Sequence, residues 1–241
     1  ASPVKNESAV QGAVLLLMDV TEKQEREKLR REFTANVSHE LKTPLTAISG
    51  YAEIMMGGLA KPEDVPEFLQ SIYSETQRLI ALVRDLMLLS KLEEDAPPAR
   101  ERIDLLALAE ETASRLSANA AARGVNVSVT GEALEIMGMR SVLEEMTYNL
   151  LENAIKYNRP GGSVTISIKK AGERAVLTMT DTGIGIPKAE QARIFERFYR
   201  VEKSRSRAIE GTGLGLAIVK HGALLHGAQV SVKSGSAGST F

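Results

Sequence analysis

Of the three histidines in the chain, His39 has neighbours suited to chemistry, in Ser38-His39-Glu40-Leu41-Lys42-Thr43-Pro44. A carboxylate beside an imidazole can take the proton from one ring nitrogen and raise the basicity of the other. A zinc site of the HExxH type would need a second histidine at position 43, where threonine stands. Adjacent residues do not share a helix face, so the sequence leaves open whether Glu40 reaches the ring. On its own, a helical histidine is more often an ordinary surface residue.

Three further segments carry polar residues at informative spacing. In Asn149-Leu150-Leu151-Glu152-Asn153-Ala154-Ile155-Lys156-Tyr157, the two asparagines are four apart and share a helix face, with Lys156 nearby. An amide oxygen suits magnesium when phosphates and water supply the other ligands, lysine suits a phosphate, and tyrosine offers a ring for stacking on a base. Two glycine loops follow, Asp181-Thr182-Gly183-Ile184-Gly185-Ile186-Pro187 after a strand and Gly211-Thr212-Gly213-Leu214-Gly215-Leu216 opening a helix. Glycines before a helix let backbone N–H groups approach a phosphate, and the helix dipole favours the anion. A Rossmann fingerprint would need glycine at 216, and a Walker loop would need Gly-Lys-Ser/Thr; neither is present. Asp181 can accept a hydrogen bond from an exocyclic amine such as that of adenine. Between the loops, Phe195-Glu196-Arg197-Phe198-Tyr199-Arg200 leads into a basic run with Lys203, Arg205 and Arg207. A long loop in that place reads as a mobile lid anchored by Phe195 and Phe198.

Composition bounds these readings. The 241 residues suit one large domain or two ordinary ones, and 43% hydrophobic with 25% charged residues is a globular balance. A net charge of -1 argues against holding nucleic acid by phosphate neutralisation. With no cysteine there is no disulfide, thiolate metal site or cysteine nucleophile. No run is long enough to span a bilayer; Gly12 to Met18 is the longest early apolar stretch. The abrupt start and the strand-like end, Ser239-Thr240-Phe241, suggest a piece of a longer protein.

The elements that must position these residues follow from periodicity. Ala13 to Val20 reads as one buried strand with no sheet of its own to join. Leu29, Phe33, Val37, Leu41, Leu45, Ile48, Ala52 and Met55 form one stripe on a long helix ending near Met56, with Gly57-Gly58 as its stop. Pro44 predicts a bend near Glu40 and Leu41. A second stripe runs through Phe68, Ile72, Leu79, Val83, Leu86, Leu89 and Leu92. Two such helices with a short connection form an antiparallel hairpin, and two bury their stripes poorly, so a second copy completing a four-helix bundle is expected. Glu93 to Arg102 reads as a charged, proline-containing linker. Beyond it, Leu105 to Ala122 reads as a helix, Val125 to Thr130 and Leu134 to Met137 as strands, and Ser141 to Tyr157 as a helix. Val164 to Lys169 and Ala175 to Asp181 are strands around the turn Ala171-Gly172-Glu173, Gly213 to His226 is a helix, and Gln229 to Lys233 is a last strand. This order predicts an α/β sandwich, a mostly antiparallel sheet covered on one face by helices.

With these residues in view, the chain resembles the catalytic core of a bacterial sensor histidine kinase from about Thr21 to its end. SHELKTPLTAISGY resembles the H-box, NLLENAIKYN the N-box, DTGIGIP the G1 box, FERFYR the F-box and GTGLGLAIVKH the G2 box, in the family's order. The resemblance implies a dimerising, phosphoaccepting helical hairpin (HisKA type) over residues 22–95. It further implies a linker over 96–102 and an ATP-binding domain of the GHKL type (HATPase_c) over 103–241. Asp19-Val20-Thr21 is similar to the end of a PAS sensor domain, which would fill residues 1–21.

The resemblance also implies roles. His39 would be the phosphoacceptor, attacking the ATP γ-phosphate through Nε2, and Glu40 would take the Nδ1 proton. Thr43 matches the position that orients water when such enzymes dephosphorylate their partner. Asn153 would bind Mg2+, with Asn149, Lys156 and Tyr157 around the nucleotide. Asp181 would read the adenine amine in a pocket shaped by Gly183 and Gly185. Arg200 would lie near the γ-phosphate, and Gly211, Thr212, Gly213, Leu214 and Gly215 would hinge the lid and face the phosphates. The implied activity is ATP-dependent autophosphorylation followed by transfer to an aspartate of a response regulator receiver domain, in a homodimer. A membrane-anchored parent is implied, with no membrane contact by this stretch itself. A GHKL nucleotide-gated clamp that phosphorylates no protein is the alternative reading, and the H-box counts against it. Two features depart from expectation: Gly222 falls where an apolar helix former is expected, and the last strand stops at Phe241.

Overall fold

The computed structural model describes residues 2–6, 9–14, 21–92, 99–201 and 211–241. The chain divides into two compact units, Ala1–Lys42 and Thr43–Phe241. In the first, strand β1 (Ser2–Asn6) pairs antiparallel with β2 (Ala9–Val14). Of the isolated strand expected over Ala13 to Val20, Ala13 and Val14 fall in β2, which has a hairpin partner in β1. Residues 15–20, including the PAS-like Asp19 and Val20, lie outside the described residues.

Helix α1 (Thr21–Met56) continues through Pro44 without interruption. Its end is a Schellman motif: Gly58 takes φ +66, Gly58 N–H donates to Met55 O at 3.2 Å and Leu59 N–H to Ile54 O at 3.1 Å. Helix α2 (Val65–Leu92) returns, and Tyr51 packs on Phe68 with ring centroids 5.3 Å apart. The inner face of α2 buries Leu82, Asp85, Leu89 and Leu92, while Tyr73, Ile80, Val83 and Met87 stay exposed in the single chain.

Residues 93–98 lie outside the described residues, and the expected linker ends sooner than Arg102. Glu101 and Arg102 open strand β3 (Glu101–Asp104), which pairs antiparallel with β5 (Glu135–Gly138). Asp104 caps the next helix, accepting from Leu106 N–H at 2.9 Å and Ala107 N–H at 3.4 Å. The single helix expected over Leu105 to Ala122 is instead two, α3 (Leu105–Arg115) and α4 (Ser117–Ala122), broken at Leu116. Around the break, Thr112 and Ser117 hydroxyls donate to Leu108 O and Ser114 O and compete with the helical ladder, while Leu116 turns into the core at 2% exposure.

The main sheet has the order β4-β6-β7-β9-β8. Strand β4 (Asn126–Gly131) runs parallel to β6 (Ser163–Ala171), and β7 (Arg174–Asp181) follows β6 antiparallel across the turn at Gly172. The last strand expected over Gln229 to Lys233 lies later. It is a short hairpin, β8 (Lys233–Gly235) and β9 (Gly238–Thr240), turned at Ser236 and Ala237, with Gly238 at φ +128 opening its second strand. Met179 and Phe241 exchange backbone hydrogen bonds of 3.0 and 2.9 Å, so the chain's last residue continues the sheet. Helices α3, α5 (Arg140–Lys156) and α6 (Gly215–Leu225) supply the apolar layer against it. Val164, Ile166 and Ile168 alternate inward from β6 and are fully buried with Leu108 and Leu151.

Two contacts fix how α6 lies on α5. His226, just past α6, places Nδ1 2.7 Å from Gly222 O and accepts at Nε2 from Met139 N–H, at the start of α5, at 2.9 Å. That pairing assigns the proton to Nδ1. Gly222 meets the departure noted in the sequence: a Cβ there would stand 2.5 Å from Met146 Sδ and 3.0 Å from Val142 Cγ1. The helices approach too closely for a side chain. Gly222→Ala should therefore lower stability by about 1–3 kcal/mol through overpacking, against the gain of about 1 kcal/mol that helix propensity alone would give. Urea unfolding of the two chains checks the sign.

Candidate functional site

Four of the sequence-predicted segments converge on one cavity of about 1140 Å³ within the second unit. Asn149, Asn153, Lys156, Tyr157, Asp181, Gly185, Arg200, Gly211, Thr212, Gly213 and Gly215 all line it. Helix α5 presents Asn149 and Asn153 one turn apart. Asn149 is buried, and its Nδ2 donates to Glu145 O at 2.9 Å and to Glu145 Oε1 at 3.3 Å. The amide oxygen is thereby turned toward Gly215, where a Cβ would overlap it. Lys156 Nζ lies 5.7 Å from the Tyr157 ring centroid and beside Gly211, where a Cβ would come within 2.6 Å of it.

Asp181 ends β7 at the cavity wall. Its Oδ1 accepts from Gly183 N–H at 2.8 Å and Ser239 N–H at 3.2 Å. Burial raises its carboxyl above the ordinary 3.8, and these backbone donors pull the other way. Gly183 and Gly185 are required by space. A Cβ on Gly183 would overlap Tyr157 O, and one on Gly185, whose φ is +72, would overlap Gly235 O. Burial likewise raises the Tyr157 hydroxyl, with Arg200 opposing.

The segment expected to anchor a lid is itself held in part through backbone. Phe195 packs edge-on against Phe241, centroids 6.4 Å apart. Phe198 holds φ +62, unusual for a side-chain-bearing residue, and its N–H donates to Gly213 O at 2.9 Å. Residues 202–210 lie outside the described residues, so the basic run through Lys203, Arg205 and Arg207 is not placed. Leu214 is buried and opens α6.

Sequence reasoning missed three contributors. Glu145 orients Asn149, and Ser239 steadies Asp181. Asp85, 8% exposed on α2, accepts from Thr212 Oγ1 at 2.7 Å. A signal for Asp85 existed: Leu82, Asp85, Leu89 and Leu92 fall at spacings of three and four, so a carboxylate stood on a face that had to be buried.

His39, Glu40 and Thr43 lie on α1. The His39 side chain is 80% exposed, and Glu40 Oε1 stands 3.9 Å from its Nδ1. The carboxylate thus lies on the Nδ1 side of the ring, the question adjacency left open. Thr43 is exposed four residues on, before a buried Pro44.

A helical hairpin bearing an exposed histidine with a half-buried carboxylate beside it, joined to a sheet-and-helix domain with this cavity, defines a class. The model of the His Kinase A (phospho-acceptor) domain matches residues 29–95, and that of the histidine kinase-, DNA gyrase B- and HSP90-like ATPase matches 138–241. The chain is 40% identical over 234 residues to the sensor-like histidine kinase SenX3 of Mycolicibacterium smegmatis, covering 95% of this chain and 60% of that protein. It is 37% identical to the sensor histidine kinase WalK of Bacillus subtilis, covering 92% and 37%. It thus spans three-fifths or less of these relatives. Among solved structures, the mycobacterial sensor histidine kinase MprB is 30% identical with a TM-score of 0.53, over 59% of this chain and 93% of that one. The Acinetobacter baumannii histidine kinase AdeS shares the fold at a TM-score of 0.70 and 24% identity, over 84% and 94%. The chain belongs to the bacterial sensor histidine kinases and comprises their phosphoacceptor and ATPase domains.

The buried Asp85 yields a stability prediction. Burial raises its carboxyl above the ordinary 3.8, with the Glu145 and Glu152 charges adding to the rise, and Thr212 and Arg84 opposing. The folded chain holds that proton more tightly than the unfolded one. Ionisation therefore costs stability as pH rises from 3.8 through the raised value, and the cost is complete above that value. Asp85→Asn removes the charge and keeps an acceptor. The variant should be the more stable at pH 7, with the difference shrinking as pH falls toward 3.8. Equal or lower stability at pH 7 in chemical denaturation would contradict this.

Proposed function

We propose that this chain is an ATP-dependent protein histidine kinase of a two-component signalling system, autophosphorylating His39 and passing the phosphoryl group to a response regulator. The observation that carries this is the exposed His39 ring with a carboxylate on its Nδ1 side, in a chain whose second unit holds the nucleotide-type cavity. In the step proposed, the Nε2 lone pair attacks the γ-phosphorus, the bond to the β,γ-bridging oxygen breaks and ADP leaves. Glu40 takes the Nδ1 proton, so the phosphorylated ring stays neutral. Positioning and charge neutralisation supply most of the catalysis in such in-line transfers.

In the cavity, Asp181 accepts from the adenine amine, and Gly183 and Gly185 let the backbone close around the base. Tyr157 lies beside it. Lys156 and the loop from Gly211 to Gly215, with Thr212 and Leu214, face the phosphates, and Arg200 serves the γ-phosphate. Magnesium fits the donor set present: Asn153 lines the cavity with neutral amide oxygen, which leaves most ligands to phosphate and water, as Mg2+ prefers. Bound there, the ion would neutralise phosphate charge. The exposed stripe of Tyr73, Ile80, Val83 and Met87 supports a homodimer in which two hairpins make a four-helix bundle. Among the described residues no helix is long and apolar enough to cross a membrane, so membrane anchoring, as proposed for the parent protein, falls to other segments.

With γ-labelled ATP and magnesium, the chain should acquire acid-labile, alkali-stable label, and His39→Gln should acquire none. Persistent labelling of that variant would remove His39 from the mechanism. Thr43, one turn beyond on the same helix, is proposed to orient water when the regulator is dephosphorylated. Thr43→Ala should slow decay of the phosphorylated regulator by about tenfold or more and leave His39 labelling near the parent level. An unchanged decay rate would exclude that role.

A further inference from the structure

The bond between Asp85 and Thr212 joins a carboxylate on the hairpin helix α2 to the loop that faces nucleotide phosphates in the proposed function. Thr212 has one hydroxyl proton, and Asp85 Oδ2 takes it at 2.7 Å. Thr212 Oγ1 in turn accepts from Leu214 N–H at 3.2 Å. Two donors of the glycine loop, a hydroxyl and a backbone N–H, are thus drawn into one chain that ends on an anion belonging to the protein. Asp85 is buried and lines the same cavity as Lys156 and Gly211. The charges that act most on it are Glu145 and Glu152 on α5, which oppose its ionisation, and Arg84 on α2, which favours it.

We infer that Asp85 is a resident counter-anion of the glycine loop, a specificity-determining residue that nucleotide phosphates must displace. The inference rests on the nucleotide reading of the cavity and goes beyond it. A polyphosphate entering beside the loop meets a like charge and finds the Thr212 hydroxyl and the Leu214 N–H already engaged. Binding of the phosphate end and retention of the Asp85 bond therefore oppose each other, and by linkage each weakens the other equally. Adenosine carries no phosphate and is indifferent to the bond. Asp85 thus sets a penalty that grows with phosphate charge, and each triphosphate bound loosens the hold of α2 on the loop.

The test compares the full chain with Asp85→Asn, which keeps an acceptor and removes the charge, and with Asp85→Ala, which removes both. Affinities for ATP, ADP, AMP and adenosine are measured by calorimetry in magnesium buffer. Both variants should bind ATP about tenfold more tightly, within the usual range of coupling between sites, ADP by a smaller factor, and adenosine with unchanged affinity. Unchanged or weakened ATP binding, or one common factor for all four ligands, would overturn the proposal, the latter marking Asp85 as merely structural. A parent chain that binds none of the four would overturn the nucleotide reading and this proposal together. Adenosine binding also reports that each variant is folded. A second measurement needs no variant: amide exchange along α2 around Asp85 should be faster with ATP bound than with adenosine bound, and equal rates would count against the proposal.

Discussion

The cavity depends on one anchored carboxylate. Asp181 Oδ1 takes N–H donors from the loop that follows it and from β9, the last strand. A single oxygen therefore ties three backbone segments together at the end of the sheet. The attachment works because side chains are missing around it. A Cβ on Gly183, Gly185 or Gly238 would overlap Tyr157 O, Gly235 O or Asp181 O respectively. Closely packed backbone carries fixed dipoles, which is how a buried carboxylate is held by neutral donors. Burial still pushes its proton affinity up, so this end of the site is kept at some cost in stability.

The opposite end is organised by the contact of α5 with α6. Gly222 lets the helices close on Met146 and Val142, and His226 ties the end of α6 to the start of α5. At the far end of the same contact, Asn149 and Gly215 meet in the same way. Glu145 turns the Asn149 amide so that its nitrogen is occupied and its oxygen faces the glycine loop. A packing constraint in the apolar layer thus becomes an orientation constraint on a polar group in the site. The stretch from Phe195 to Arg200 joins through Phe198, whose left-handed backbone conformation is held by a hydrogen bond to Gly213.

Much of this was legible because local rules act on short stretches. The end of α1 at Gly57-Gly58 follows from the left-handed cap that glycine permits, and the β6–β7 hairpin from alternation around Gly172. The failures share a cause. Leu105 to Ala122 has helical composition throughout, yet the core draws Leu116 inward and breaks it. The last strand moved from Gln229–Lys233 to the hairpin around Gly238 because pairing with β7, not propensity, selects which residues extend. Asp85 shares the buried face of α2 with Leu82, Leu89 and Leu92, but its partner Thr212 is set by packing and not by local period.

The sequence by itself determined which groups exist and their local spacing: the histidine with its carboxylate, two asparagines one turn apart, and glycines where backbone must approach. Those are matters of covalent order and helical period, and they sufficed for the family. Only the tertiary structure decided which carboxylate meets which hydroxyl. Asp85 and Thr212 are 127 residues apart, and their 2.7 Å bond exists because α2 packs on α6. Long-range contact is set by how apolar faces fit together, and no local period encodes that fit.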